Sequence, residues 1–256
     1  MRIASLTCSN TEIVAALGFA RALVAVDDHS DFPEAALRGL PRLGKDLQID
    51  CQRLRAARPD LVLASLSVPG MERVVAEVQG LGFETMILDP VSWDDVLADI
   101  RSVAARLGVD ARGERVTAAL QAELSKLRAR LPAFTRPPRV MIEWWPKPVI
   151  VAARDSWIND LLASLGATNA CAGLEGRSCA VTTPQVLDAA PDIIAVSWCG
   201  AKRLRPELIA ARAGWRNLPA VRGGHVYAIP ESGLGRPGPR LLEGVLALVQ
   251  ALETWA

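Results

Sequence analysis

One phrase occurs twice in this chain, and it constrains the fold more than any other feature. Residues 53–67 and 185–198 each read as a short amphipathic helix, a Pro-Asp break, an apolar run and a serine-led loop. The runs Leu61–Ala64 and Ile193–Val196 are too short for helices and suit strands that are buried on both faces of a parallel sheet. Both loops then lie at the carboxyl ends of strands, where open α/β sheets bind ligands. The repeat predicts an α/β fold of two similar three-layer lobes, with a ligand cleft between them.

The predicted elements divide the chain into three parts. Residues 1–108 form an N-terminal α/β lobe, residues 109–133 a bridging helix, and residues 134–256 a C-terminal α/β lobe. The bridging helix is predicted from apolar residues that recur at three- and four-residue spacing over residues 110–131, with charged residues between them. A continuous helix has no loop hinge, so we expect the two lobes to move little.

Local signals predict the elements that carry the loops. In the first lobe, Ser9 or Asn10 is expected to cap a helix over 11–17. In the second lobe, a strand is expected over Val140–Glu143, a helix capped by Asp155 or Ser156 ends at 165, and another helix covers 205–213.

Composition excludes several classes of protein. Half of the residues are hydrophobic and 22% are charged, which indicates a folded chain rather than a disordered one. The net charge of +1 gives nucleic acid no basic surface to bind. No apolar run approaches the length of a membrane span. Met1 leads straight into a predicted strand without a signal peptide, so we expect a cytoplasmic protein or one whose export sequence has been removed.

The cysteines and histidines favour neither a metal centre nor an enzyme. Five cysteines without CxxC spacing predict no disulfide framework and no structural zinc site, and we expect most to be buried or idle thiols. Cys171 and Cys179 leave one bridge open. The only histidines are His29 and a structural His225, and no nucleotide-binding, serine-hydrolase or zinc-protease motif occurs. We predict no catalytic residue, no metal and no cofactor.

Tryptophans mark a candidate site. The chain has seven of them but four Phe and one Tyr. Trp144 and Trp145 follow one predicted strand and Trp198 follows another, so we expect them to form a wall for a large, partly apolar ligand. Trp144→Ala is expected to weaken binding by roughly 1–3 kcal/mol. Three tryptophans at predicted helical positions are expected in the core instead: Trp157, Trp215 and Trp255.

Polar residues at the same predicted rim complete the site. A loop over residues 231–240 contains two prolines and three glycines, and Arg236 is expected to project from it toward the ligand. Its alternative role is to pair with Glu231. In the first lobe, Lys45, Asp46 and Ser65 supply further polar groups.

A resemblance adds to this interpretation. The segments 9–13, 16–18, 31–33, 58–62 and 236–240 are similar to those of the substrate-binding proteins that serve ABC importers for cobalamin, haem and ferric siderophores, of the helical-backbone (class III) type. The resemblance runs nearly end to end, and among the members it is greatest to cobalamin-binding proteins. It implies two α/β lobes joined by a long helix, with the ligand in a cleft between them.

The resemblance also implies residue roles. An aromatic residue of the family after the first strand of the second lobe corresponds to Trp144, an aromatic of an early polar loop to His29, and an arginine near the last helix to Arg236. Three cleft tryptophans of the enteric cobalamin-binding protein fall near Asp46, Ser65 and Ser178, so Trp145 and Trp198 would have to replace them. The surface glutamates that dock on the permease fall near Gln52 and Pro184, which leaves Asp50 and Asp188 as substitutes.

These observations predict a binding protein that captures cobalamin or another corrinoid for an ABC permease dimer in the membrane. The predicted ligand contacts are His29, Lys45, Asp46, Ser65, Trp144, Trp145, Ser178, Trp198, Glu231 and Arg236. We expect a monomer, located in the periplasm or bound to the outside of the membrane by resemblance. The alternatives are a haem protein, with His29, Tyr227 or a cysteine as axial ligand, a siderophore protein using Arg236 and Arg177, and a cytoplasmic corrinoid carrier or enzyme.

Overall fold

A computed structural model describes residues 1–201 and 203–256 and divides the chain into two compact units. The first unit comprises Met1–Pro90, Asp94–Ala119 and Pro237–Pro239, and the second comprises Val91–Trp93, Leu120–Arg236 and Arg240–Ala256. Each unit has its own sheet and surrounding helices. The predicted class, an α/β fold of two similar lobes, is thereby confirmed.

The first unit is built on a four-stranded parallel sheet in the order β2-β1-β3-β4. Its central strands are buried on both faces, as the apolar runs predicted. Its strands are β1 (Ile3–Ser5), β2 (Leu23–Val26), β3 (Leu61–Ser65) and β4 (Thr85–Leu88). Its helices are α1 (Cys8–Ala16), α2 (Glu34–Leu37), α3 (Cys51–Ala57), α4 (Met71–Gln79) and α5 (Trp93–Arg106), of which α5 begins at a residue of the second unit.

The second unit contains a six-stranded sheet in which β10, β9 and β5 are parallel and β6 and β8 extend it through antiparallel pairs. Its strands are β5 (Arg139–Pro146), β6 (Val149–Ala152), β7 (Thr168–Asn169), β8 (Ser178–Ala180), β9 (Ile193–Val196) and β10 (Val226–Ala228). Its helices are α7 (Ile158–Ser164), α8 (Thr183–Ala189), α9 (Glu207–Ala210), α10 (Pro219–Arg222), α11 (Glu231–Leu234) and α12 (Leu241–Trp255).

The long helix α6 (Asp110–Ala129) is present, as its periodicity predicts, and ends two residues before the predicted Leu131. Its residues up to Ala119 belong to the first unit and those from Leu120 to the second. No helix among the described residues combines the length and the apolar character that crossing a membrane requires.

The repeated Pro-Asp phrase has a structural basis in both units. Asp60 precedes β3 and accepts a hydrogen bond at 2.7 Å from the backbone N–H of Arg2, beside β1. Asp192 precedes β9 and accepts one at 2.8 Å from the backbone N–H of Arg139, which begins β5. Each aspartate also donates its own backbone N–H to the carbonyl of the same arginine. The two aspartates therefore align a strand with its parallel neighbour in the same way.

Several local predictions differ from the structure. Thr7, not Ser9 or Asn10, caps α1, because its hydroxyl accepts the backbone N–H of Asn10 and the helix begins earlier. Trp157 occupies the N-cap position of α7, but the hydroxyl of Ser156, one residue earlier, accepts the backbone N–H of Ile158 at 3.4 Å, so Ser156 contributes the expected capping bond. The predicted helix over 205–213 shrinks to α9, and the strand predicted over Val140–Glu143 continues to Pro146 because a hairpin pairs it with β6.

Candidate functional site

In the first unit, three of the four predicted site residues lie in loops, and the fourth ends a strand of the parallel sheet. His29 follows β2 and is exposed, whereas Ser65 is the last residue of β3 and is buried. The Ser65 hydroxyl donates to that of Ser67 at 2.9 Å. The exposed Lys45 and half-buried Asp46 lie in the loop that Asp28 joins to the β2 edge by hydrogen bonds to and from Gly44.

A buried polar network holds the His29 loop. The hydroxyl of Thr11 bonds to those of Ser5 and Ser30 at 2.8 Å, and Ser30 donates to the Asp27 carboxylate at 2.5 Å. That carboxylate also accepts the backbone N–H of His29. Burial raises the pKa of Asp27, although the hydrogen bonds from Ser30 and His29 oppose this and the charge of Asp46 reinforces it. The network fixes the loop backbone and leaves the His29 imidazole exposed.

A cavity of about 380 Å³ lies beside this loop. Its lining contains carboxylates and guanidinium groups together with apolar side chains, and none of the predicted ligand contacts lines it. The lining residues are Asp28, Ser30, Asp31, Glu34, Leu37, Arg38, Gly39, Leu40 and Arg42. Arg42 donates to the carbonyls of Asp27 and Ser30, so its guanidinium supports the loop.

In the second unit, the tryptophans predicted for the site lie where the neighbouring parallel strands β5 and β9 end their pairing. Glu143 of β5 is in register with Val196 of β9, so Trp144 and Ser197 follow paired residues. The backbone N–H of Ser197 donates to the Glu143 carbonyl, and that of Cys199 to the Trp144 carbonyl. These bonds continue the sheet beyond β9 and bring the two tryptophan positions to one edge.

A buried ion pair that the sequence analysis missed lies beneath this edge. Glu143 is fully buried and accepts two hydrogen bonds from the Arg212 guanidinium, at 2.6 and 2.7 Å. Its carboxylate also accepts the indole N–H of Trp198 at 2.7 Å. Arg212 stacks over the Trp215 ring, 4.5 Å from its centroid. The only signal in the sequence was a glutamate inside an apolar strand, which demands a buried partner.

The three predicted wall tryptophans differ in exposure. Trp144 is 9% exposed and Trp198 is 6% exposed, and Trp198 packs in the apolar core of the second unit. Trp145 is 44% exposed, and its indole N–H donates to the carbonyl of Lys147 in the hairpin turn. A β-bulge between Glu143 and Trp145 interrupts the regular alternation of β5 at Trp144, and of the two tryptophans only Trp145 is exposed. Trp145 offers the largest apolar surface at this edge.

The remaining predicted residues of the second unit are distributed around the sheet. Glu231 begins α11 after β10, and its carboxylate pairs with the buried Arg236 at 3.2 Å, which is the contact expected as the alternative for Arg236. In β8, Ser178 lies opposite Ala152 of β6, and Ala180 lies opposite Ile150, which pairs with Trp145 on its other side. Ser178 is therefore two residues short of the level of Trp145.

The predicted docking residues lie on helices of different units. Asp50 caps α3 by accepting the backbone N–H groups of Gln52 and Arg53, and Asp188 is exposed on α8. Within residues 1–201 and 203–256, no group of three or more His, Cys, Asp or Glu side chains is placed to hold a metal ion. All five cysteines are thiols, of which Cys171 is buried, Cys8, Cys51 and Cys179 are partly buried, and Cys199 is exposed.

This architecture is that of a known family of binding proteins. The family model described as periplasmic binding protein matches residues 3–232, and the chain belongs to that family. It is thus a substrate-binding protein, and the family and its solved members below are binding proteins rather than enzymes.

Similar proteins bind two kinds of ligand. A vitamin B12-binding protein of Vibrio cholerae is 29% identical over 248 residues, which cover 95% of this chain and 86% of the relative. The crystal structure of the periplasmic vitamin B12 binding protein BtuF of Vibrio cholerae matches with a TM-score of 0.81 and 28% identity, over 99% and 97% of the two chains. The periplasmic heme-binding protein RhuT of Roseiflexus sp. RS-1 matches with a TM-score of 0.83 and 26% identity, over 99% and 98%.

Proposed function

We propose that this substrate-binding protein captures cobalamin or a related corrinoid and delivers it to an ABC importer. The observation that carries the proposal is the likeness to vitamin B12-binding proteins along nearly the whole chain. The exposed Trp145 supports it, because a large apolar ring system needs a flat aromatic surface to pack against.

The contact residues form part of the same proposal. Trp145 supplies the main apolar contact, with Trp144 and Trp198 behind it fixing the strand edge. The buried pair beneath Trp198 keeps that edge rigid, so little ordering entropy is lost when a rigid ligand binds. The polar contacts, proposed to meet amides and hydroxyls, are His29, Lys45, Asp46, Ser65, Ser178, Glu231 and Arg236.

The partner and location follow from the same relatives. A relative in Bacillus subtilis carries the name ABC transporter substrate-binding lipoprotein. We propose that a monomer of this chain acts outside the cytoplasmic membrane and docks on a permease dimer through Asp50 and Asp188. Asp188 is exposed on its helix and suits this role better than Asp50, whose carboxylate already caps α3.

Haem is the second candidate ligand. Haem-binding proteins match this chain with the same coverage and a similar TM-score. The exposed imidazole of His29, held on a loop by the Asp27 network, is a suitable axial ligand for iron. Tyr227 is a poorer donor, because its hydroxyl is hydrogen-bonded to the His225 ring at 3.2 Å.

A calorimetric titration with cyanocobalamin, cobinamide and hemin in parallel tests the proposal. One-to-one binding of the corrinoids at micromolar affinity or tighter, with weak hemin binding, is expected. Trp145→Ala should weaken corrinoid binding by about 1–3 kcal/mol, or roughly 5- to 150-fold. Trp255→Ala is the matched control, because Trp255 lies on the last helix and packs against Phe134 and Arg136, none of which is a predicted ligand contact.

Each other outcome replaces part of the proposal. Tight hemin binding that His29→Ala abolishes would make the protein a haem carrier. Corrinoid binding that is equally strong in the Trp145 and Trp255 variants would keep the ligand and remove Trp145 from the site. No heat from any of the three compounds would refute both ligand assignments.

A further inference from the structure

Two cysteines of the second unit lie beside the same end of β6. Cys179 of the edge strand β8 is in register with Val151, and its neighbour Ser178 is in register with Ala152. Cys171 follows β7 by two residues and packs in the same apolar cluster as Val151, with Cys179 against that cluster. Residues separated by seven others are thus brought back to one place in the sheet.

The side chain of Asn169 fixes the position of Cys171. Its Nδ2 donates to the carbonyl of Ala152 at 3.1 Å, and its Oδ1 accepts the backbone N–H of Cys171 at 2.9 Å. Ala152 is therefore bridged to Cys171 on one side and paired with Ser178 on the other. The two cysteines therefore lie beside neighbouring residues of β6, Cys179 beside Val151 and Cys171 beside Ala152.

The segment between the cysteines is tied down along its length. The backbone N–H groups of Ala153, Arg154 and Asp155 donate to carbonyls at positions 177, 174 and 176. A bridge between the two ends would therefore close a short loop whose native backbone is already in place, without a search through open conformations.

We propose that Cys171 and Cys179 are a disulfide site, oxidised by exchange with an external disulfide such as oxidised glutathione. Cys179 is only partly buried and reacts first: its thiolate attacks one sulfur of the external disulfide and expels one thiolate. The Cys171 thiolate then attacks the Cys179 sulfur of the mixed disulfide and expels the second. Two protein thiols are oxidised, one external disulfide is reduced to two thiols, and the two protons pass to solvent or to the expelled thiolates.

The electrostatics of the two sulfurs fit this order. Burial, with a smaller contribution from the charge of Cys179, raises the pKa of Cys171 to about 11. Burial also raises the pKa of Cys179. Thiolate is the reactive form, so the exchange is slow at neutral pH and accelerates about tenfold per pH unit as long as the pH is below both pKa values.

Peptide mapping of the oxidised full-length chain tests the site. The reduced protein is incubated with oxidised glutathione at about pH 8.5, remaining thiols are alkylated, and trypsin digests the denatured chain without reduction. Cleavage after Arg154, Arg177 and Lys202 places Cys171 in the peptide 155–177 and Cys179 in the peptide 178–202. The expected product is these two peptides joined by one disulfide.

Cys199 shares the second peptide, so variants assign the bond. The joined peptide should persist in Cys199→Ser and disappear in Cys179→Ser. Oxidation should also raise the melting temperature of the wild type and of Cys199→Ser by about 5 °C, and that of Cys179→Ser not at all. Glutathione adducts without the joined peptide, or a joined peptide that survives in Cys179→Ser, would overturn the proposal. Neither readout depends on the ligand, so the result stands apart from the proposed function.

Discussion

Replacing Arg212 by methionine should cost the second unit about 3–5 kcal/mol of unfolding free energy. The change keeps most of the aliphatic bulk of the side chain but removes the guanidinium that donates twice to the Glu143 carboxylate. Glu143 is fully buried and would retain the Trp198 indole N–H. The substitution therefore leaves a buried carboxylate with one of its three side-chain hydrogen bonds.

The magnitude follows from burial. Removing one partner of a buried ion pair typically costs 3–5 kcal/mol, because the remaining charge lacks both water and a counter-ion. The loss of stacking between Arg212 and the Trp215 ring acts in the same direction, by about 0.5–1 kcal/mol or more. The Arg212 side chain is 19% exposed, so some water can reach the stranded carboxylate, which places the expected value toward the lower end of the range.

Tryptophan fluorescence in a urea titration measures this cost selectively. The chain has seven tryptophans, and every one of them belongs to the second unit. The fluorescence transition therefore reports the unfolding of that unit even if the two units unfold separately, in which case a single free energy for the chain would be undefined.

Arg130→Met is the matched control in the same unit. Arg130 also makes a two-fold hydrogen bond to a carboxylate, that of Glu253, but their side chains are 41% and 35% exposed. An exposed pair of this kind contributes about 0–1 kcal/mol. Equal losses in the Arg212 and Arg130 variants would refute the argument that burial makes the Glu143 pair costly to break.

Two further predictions concern stability. Burial, together with two neighbouring carboxylates, raises the pKa of Asp99 to about 7. The favourable effect of protonated Asp99 on stability is fully present below the unfolded pKa of about 3.9 and is lost as the pH rises through 7. Asp99→Asn should therefore stabilise the chain by roughly 1–2 kcal/mol above pH 7, after allowance for solvent screening, and by nothing at pH 4. Circular dichroism in urea at both pH values checks this, and an equal effect at both would contradict it. A Cβ added at Gly244 would collide with the backbone carbonyl of Gly233. Gly244→Ala should therefore cost about 1–3 kcal/mol or more of unfolding free energy in the fluorescence assay. Gly173→Ala is the control: its added Cβ meets no atom within 4 Å, so stability should change by less than about 0.5 kcal/mol. A similar small change in both variants would refute the predicted collision.

The repeated phrase was sufficient to predict the fold because its residues act locally. A helix, a Pro-Asp break and an apolar strand lie within fifteen residues, so the residues that determine each element are close to it in the sequence. The equivalence extends to a detail that the sequence conceals: Arg58 and Ala190, just before the two prolines, both adopt left-handed backbone conformations. Such conformations are unfavourable for residues other than glycine, and only the tertiary bonds of the following aspartates reveal why they are held.

The candidate site was less accessible from sequence, because its geometry depends on distant pairs. Glu143 and Arg212 are separated by 69 positions, and the sequence shows no reason to prefer Arg212 among the arginines of the second half. The orientation of Trp198, a predicted wall residue, also depends on a distant partner. Its indole is oriented by a carboxylate 55 positions away, and this contact directs the ring into the core.

Strand alternation does not distinguish the two adjacent tryptophans, because a β-bulge lies between Glu143 and Trp145. In β5, Ile142 and Glu143 are both buried, so the outward position appears only where the strand passes the end of its parallel partner β9. Beyond that point, β5 pairs with β6 through Trp145 and Pro146. Trp145 is the first residue of β5 that is exposed, and an indole there would be an unusual choice for a surface in contact with water alone. The proposed ligand would provide an apolar partner for this exposed indole.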